Sequence, residues 1–174
     1  MKRKQKERIA ILIGLGVIIV GLAFMFSLQL QNKKADAFAE SYGKLVTDSR
    51  NLTQSYQGQV GKWKLKQYDN STMVSITDQY LPKFQSLVDR AKALQPPQKF
   101  TRSRDFLVLS FQSEMESYKH FRNFLTTGLR AEDDVSTKFL SDALRYETNS
   151  FSVFNSARWL ALMLFLVVDT ERNK

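Results

Sequence analysis

The chain has one histidine, His120, which stands four residues after Glu116 and seven after Ser113. On a helix this spacing puts a hydroxyl, a carboxylate and an imidazole on one face, the residue types of a hydrolytic set. The surroundings argue against that chemistry. His120 lies two residues from Tyr118, about 200° around a helix, and Tyr118 belongs to an apolar stripe, so the serine, glutamate and histidine face is expected to meet water. A triad needs its base held by a fixed group in a sheltered cleft. As metal ligands Glu116 and His120 supply only two donors, and the inward carboxylates and Glu-x-x-His motifs of di-iron bundles are missing. The chain has no cysteine, hence no disulfide, no thiolate ligand and no cysteine nucleophile. It also lacks a glycine-rich phosphate loop, an H-E-x-x-H helix and a G-x-S-x-G elbow. The expectation is therefore a protein without enzymatic activity, metal or cofactor.

Binding chemistry is better represented. The segment KWKLKQY interleaves Lys62, Trp63, Lys64, Lys66 and Tyr68, a pattern that could stack and pair with an acidic partner or a cell-wall polymer. The plainer expectation is a solvated turn with Trp63 capping a core. Two sequons, at Asn51 and Asn70, are candidate glycosylation sites if the region is exported.

The elements that would position these groups begin with a membrane segment. No charged residue occurs between Ile9 and Asn32, and Ile9–Leu30 supplies 22 mostly apolar positions, about the 20 needed to cross a hydrocarbon core of ~30 Å as a helix. Five Lys and Arg residues precede it within Met1–Arg8, against Lys33 and Lys34 immediately after. This bias predicts a cytoplasmic N-terminus and an extracytoplasmic remainder. A cleavable signal with its site near Ala35–Ala37 is the competing reading, but the apolar run exceeds the usual 7–15 residues of such signals. Ala10, Gly14, Val17 and Gly21 share one face of the span and could pack against another helix, in another membrane protein or a second copy of this chain. The formal charge of +9 owes +4 to Met1–Arg8 alone, so it does not mark a nucleic-acid binder.

Beyond the span the sequence predicts an all-α domain, an antiparallel four-helix up-down bundle. Its stripes run Phe38, Tyr42, Leu45, Leu52, Tyr56, Trp63; then Met73, Tyr80, Phe84, Leu87, Ala91, Leu94; then Phe100, Leu107, Phe111, Met115, Tyr118, Phe121, Leu125; then Val135, Phe139, Ala143, Tyr146, Val153, Ala157, Leu160, Leu164. Asp69 to Thr72 offers N-caps, Pro96 and Pro97 end the second helix, Gly128 suits a left-handed C-cap, and Glu132, Asp133 and Asp134 favour a helix start. Pro82 is expected to kink or split the second helix near Gln79–Leu81. The organisation expected is residues 1–8 cytoplasmic, 9–30 transmembrane, 31–156 bundle and 157–174 an apolar helix end.

That end holds ten consecutive apolar side chains, Trp159 to Val168. As a helix they cover ~15 Å, half a bilayer core, and extension backwards meets Arg158. In an up-down bundle the fourth helix returns toward the membrane, so the run is expected to pack against the span or enter the near leaflet. Lys99, Arg102, Arg104, Arg158 and Trp159 are then candidate contacts with the lipid surface.

The order of span, four helices and apolar segment resembles the periplasmic four-helix sensor modules of chemoreceptors and histidine kinases, although those continue through a second span into a signalling domain. The helix, proline pair and helix in YLPKFQSLVDRAKALQPPQKF are also similar to small, functionally uncharacterised membrane-anchored helical-bundle proteins of prokaryotes. What these resemblances imply is a membrane-anchored interaction or scaffold module, or a minimal ligand-sensing bundle. A polar-lined pocket between helices would favour the second, and a tightly packed aromatic core the first.

Overall fold

The computed structural model describes the backbone of residues 2–172 and the side chains of residues 33–159. Among the described residues there is no strand. The α-helices are α1 (Lys2–Lys64), α2 (Asn70–Ala93), α3 (Thr101–Thr127) and α4 (Arg130–Arg172), with a 3-10 turn at Gln98–Phe100. The chain divides into two compact units, Met1–Ala37 and Phe38–Lys174. The second contains a helical bundle, as expected from the periodicity.

Local chemistry sets the helix ends. Asp69 takes the N-cap of α2, its carboxylate accepting from the Thr72 amide at 2.7 Å. Hydrogen bonding from the Thr72 side chain, its amide and Ser71 holds the Asp69 pKa below the usual carboxylate range. Leu94, ahead of Gln95 and the proline pair, caps the other end. Gly128 closes α3 at φ 70°, a left-handed conformation that costs glycine nothing. Glu132 and Asp133 lie in the first turn of α4, where the helix dipole favours acids.

Cross-helix contacts give the directions. Asp48 and Tyr56 of α1 meet Arg90 and Thr77 of α2, so the chain reverses between them. Asp78 and Phe84 of α2 meet Arg122 and Tyr118 of α3, a second reversal. Ser103, Ser110 and Ser117 of α3 meet Ser150, Ala143 and Ser136 of α4, a third. Tyr42 of α1 bonds Ser150 of α4 at 2.7 Å, closing an antiparallel ring of four.

Aromatic side chains dominate the core. Phe38, Tyr42, Phe100 and Phe154 cluster toward one end, with Tyr42 and Phe154 stacked at 4.5 Å. Tyr56, Phe84 and Tyr118 form a second cluster at 4.4–6.0 Å. At the other end Trp63 sets its edge against Phe121. Each aromatic buries a large apolar area in an arrangement that tilted ring pairs favour further.

Two expectations are corrected. The fourth stripe holds only in part: Ala143 and Ala157 are buried as expected, but Val135 is 36 % exposed and Phe139, Tyr146 and Val153 are half-buried, while Ser136, Ser150 and Phe154 are buried in their place. Small side chains win there because α3 approaches closely and their hydroxyls bond its backbone and its serines. Leu52, Tyr80 and Leu94 are likewise only half-buried. Second, of the kink or split expected at Pro82 the split is absent, since α2 runs unbroken from Asn70 to Ala93. One backbone donor is lost, but buried Thr77 and Phe84 hold the helix on either side, and Tyr80 bonds Ser55 at 2.6 Å.

Among the described residues no helix is long and apolar enough to cross a membrane. The run Ile9–Leu30, with its face at Ala10, Gly14 and Gly21, lies outside the described side chains, as does all but Trp159 of the run to Val168.

Candidate ligand-binding groove

One flank of α3 is built on a seven-residue repeat, Ser103, Ser110 and Ser117, and α4 answers with Ser150, Ala143 and Ser136. The hydroxyls are satisfied in place. Ser103 donates to the Ser150 carbonyl at 3.0 Å and Ser150 to the Ser103 carbonyl at 2.7 Å. Ser110 donates to the Ala143 carbonyl at 2.9 Å, and Ser117 and Ser136 pair at 3.2 Å. A seven-residue repeat keeps one seam facing a partner helix, and small side chains let the backbones come close.

Glu114, between Ser110 and Ser117, projects from the same helix toward α1. It is 8 % exposed. Thr53 donates to its Oε1 at 2.6 Å and the Tyr118 hydroxyl donates to the same oxygen at 2.7 Å, while Gln57 donates to the Tyr118 oxygen at 3.3 Å. Burial pushes the Glu114 pKa up, the two hydrogen bonds oppose this, and the nearby Glu147 carboxylate adds to the rise. Burial and the adjacent Glu114 carboxylate also push the Tyr118 phenol up. Glu114 Oε2 accepts no hydrogen bond. Among the described residues no side-chain oxygen sealed from solvent goes without a partner, so Oε2 keeps some access to solvent, and Glu114 lines an open space.

That space is a groove of about 220 Å³ between α1, α3 and α4. It is lined by Ser49, Thr53, Gln54, Ser110 and Glu114 as well as Phe111, Leu140 and Leu144, with exposed Arg50 and half-exposed Glu147 at its rim. Among the described residues Arg50 forms no ion pair. A larger, shallower depression between α1 and α2, about 430 Å³, is lined by Asp48 and Arg90, whose charges already pair with each other.

The residues singled out in the sequence fall elsewhere. Trp63, half-buried in the last turn of α1, donates its indole N–H to Asn70 Oδ1 at 2.9 Å and packs on Phe121 and Phe124. Tyr68 donates to Gln59 at 3.1 Å, and Lys62 Nζ lies 5.9 Å from the Tyr68 ring. Both aromatics of the KWKLKQY segment thus bond within the bundle, while Lys62, Lys64 and Lys66 are exposed. Asn51 is exposed on α1, and Asn70 is exposed as the first residue of α2. Arg104 donates to the Lys92 and Leu94 carbonyls that end α2, Lys99 and Arg102 lie over Phe100 and Phe106, and Arg158 and Trp159 are exposed on α4. Because Phe154 packs on Phe100, these five share one end of the bundle.

Ser113, Glu116 and His120 are each half-buried and do not converge. Glu116 pairs with Lys119 at 2.7 Å, and His120 Nδ1 lies 2.7 Å from Glu132 Oε2 with its ring stacked on Phe139. The expected solvent face is in fact the joint between α3 and the start of α4. Among the described residues no three His, Asp or Glu side chains are placed to hold a metal ion. Apolar periodicity missed Glu114 and the serine seam, although the S-x6-S-x6-S spacing was there to be read. The chain matches no protein-family profile, no curated protein and no solved structure.

Proposed function

We propose that this chain is a membrane-anchored, extracytoplasmic helical bundle that works by binding and not by catalysis. Ile9–Leu30 is the anchor, supported by its length and by the basic Met1–Arg8 segment before it. With the bundle outside, the end bearing Lys99, Arg102, Arg104, Arg158 and Trp159 meets the headgroups. Trp159, 65 % exposed, suits an interface where one side of the ring is apolar and the other wet.

The observation that carries a binding role is Glu114. Burying a carboxylate is unfavourable unless partners compensate, and here both described donors serve one oxygen of a residue that lines a groove. A bundle serving only as a spacer gains nothing from that arrangement, whereas ligand sites place a few polar groups in otherwise apolar concavities. The groove supports the small-ligand-sensing reading, as in the four-helix sensor modules the architecture resembles, while the packed aromatic core supports a scaffold for protein partners.

Single-cysteine labelling tests the placement, since the native chain has no cysteine. Ser41→Cys is expected to react with a membrane-impermeant thiol reagent in intact cells, and Gln5→Cys only after permeabilisation. The opposite pattern overturns the topology. Asn173→Cys reports whether the C-terminal apolar run crosses: reaction without permeabilisation leaves a single-pass anchor, and reaction only after it makes the chain a two-span sensor.

A further inference from the structure

Resting on the binding role just proposed, the groove's chemistry narrows the ligand. We infer that it takes a small organic monocation, an ammonium seated on Glu114 Oε2 with a short apolar body against Phe111, Leu140 and Leu144.

Four features support this. Glu114 is nine-tenths buried and both of its described donors serve Oε1, so a ligand N–H can be accepted at Oε2 of a carboxylate that is already held in place. Charge-assisted hydrogen bonds of this kind are the strong ones. The second carboxylate, Glu147, lies at the rim, and its nearness raises the proton affinity of Glu114, a like-charge contact that an incoming cation relieves. Phe111, Leu140 and Leu144 give part of the lining an apolar surface for a hydrocarbon body, from which a hydrated metal ion would gain nothing. Finally, about 220 Å³ lies below the ~300–1,000 Å³ of sites for drug-sized ligands, so the occupant is smaller than those.

Arg50 is the one cation at the rim. It is exposed and forms no ion pair among the described residues, so it leaves the site open. The groups facing Glu114 are then Tyr118 from its own helix, Arg50 from α1 and Glu147 from α4. An ammonium needs the ionised carboxylate, so binding should weaken as pH falls and Glu114 takes up its proton.

The test uses the full chain, purified in an uncharged detergent near neutral pH, with n-butylammonium as probe and 1-butanol and butyrate as matched controls, followed by ligand-observed NMR. Butylammonium is expected to bind at least about tenfold more tightly than butanol, the preference a charged hydrogen bond confers, and butyrate more weakly than either. Glu114→Gln should abolish the preference while unfolding cooperatively as the native chain does. Glu147→Gln, at the half-exposed rim, should weaken butylammonium a few-fold, and Arg50→Gln should strengthen it by a similar factor. Equal binding of butylammonium and butanol, tighter binding of butyrate, or an unchanged preference in Glu114→Gln would overturn the inference. Because the assay is done on purified chain, its failure leaves the labelling result for the anchor untouched, and the reverse also holds.

Discussion

The two flanks of α3 bury polar side chains in opposite ways. Toward α4, Ser103, Ser110 and Ser117 are neutral, short, and bonded to carbonyls or hydroxyls within reach of their own rotamers. Toward α1, Glu114 is charged when ionised, long, and served by donors from two helices on one oxygen only. The serine flank trades nothing for its closeness, because a hydroxyl that replaces water with a carbonyl keeps its hydrogen bond. The glutamate flank opposes burial of its charge and leaves a space. One seam is built to stay shut, and the other is built around a group that still has a bonding site to offer.

The largest effect should come from forcing the closed seam. Ser110→Leu inserts a branched side chain where Ala143 supplies the facing backbone, and overpacking of this kind costs about 3 kcal/mol. Urea unfolding should show it as a lower midpoint with an unchanged slope. Ser110→Ala, which removes only the hydroxyl, should cost about 1 kcal/mol. If leucine is tolerated as well as alanine, the seam is looser than the distances indicate and the contrast with the other flank fails.

Next in size is Tyr118→Phe, which takes one of two donors from Glu114 and the acceptor from Gln57. Hydrogen bonds to charged groups contribute more than neutral ones, so the loss should be about 2 kcal/mol at neutral pH. Tyr56→Phe gives the comparison. Its hydroxyl, pushed up to about 12 by burial, pairs with neutral Thr77 at 2.9 Å, and Thr77 keeps its bond to the Met73 carbonyl. That change should cost about 1 kcal/mol, and an equal loss at both positions would mean that Glu114 is neutral near pH 7.

These flanks differed in how well the sequence announced them. Helix positions and caps were legible because large apolar side chains repeat at helical spacing, and because Asp69 and Gly128 have local reasons to be where they are. The phase of α4 was not. Val135 and Val153 looked like core while Ser136 and Ser150 looked like surface, since an apolar stripe records transfer energy and ignores how near a neighbouring helix comes. Glu114 was invisible for a related reason. Its burial depends on Thr53 and Tyr118, one of them 61 residues away, and no local pattern carries that pairing. The Ser113, Glu116 and His120 face, by contrast, stands out by residue type alone, and Glu116 and His120 bond to different partners, Lys119 and Glu132.

Glu114→Gln sharpens the contrast within the open flank. Gln can accept from Thr53 and Tyr118 through its own oxygen while carrying no charge. The folded-state pKa of Glu114 is raised, so the folded chain binds its proton more tightly than the unfolded chain does. Wild-type stability attributable to this group therefore falls as pH rises through the ordinary carboxylate pKa to the raised one, and is lowest above it. The variant should melt a few degrees higher at neutral pH, with the advantage shrinking as pH falls below the raised value. A constant advantage across that range would assign the gain to something other than charge.

The smallest effect belongs to the exposed face of α3, where Arg122 grips both oxygens of Asp78 on α2. The hydrogen bonds from Arg122 hold the Asp78 pKa below its usual value, so the sign is opposite to that of Glu114. Stability from Asp78 is complete above its unfolded pKa and is lost as pH falls through the lowered folded one. Exposure of 45 % and 36 % on the two partners lets solvent and salt screen the pair, and Asp78→Asn should cost no more than about 1 kcal/mol, less in high salt. Combined with Glu114→Gln, it separates the two carboxylate populations of the bundle. Wild type should gain stability from Glu114 on mild acidification and lose it from Asp78 on stronger acidification, giving a maximum below neutrality. Glu114→Gln should flatten the rise and keep the fall, whereas Asp78→Asn should keep the rise and soften the fall. A single monotonic acid limb unchanged by either substitution would mean that neither flank's carboxylate governs the pH response, and the asymmetry of α3 would then be geometric only.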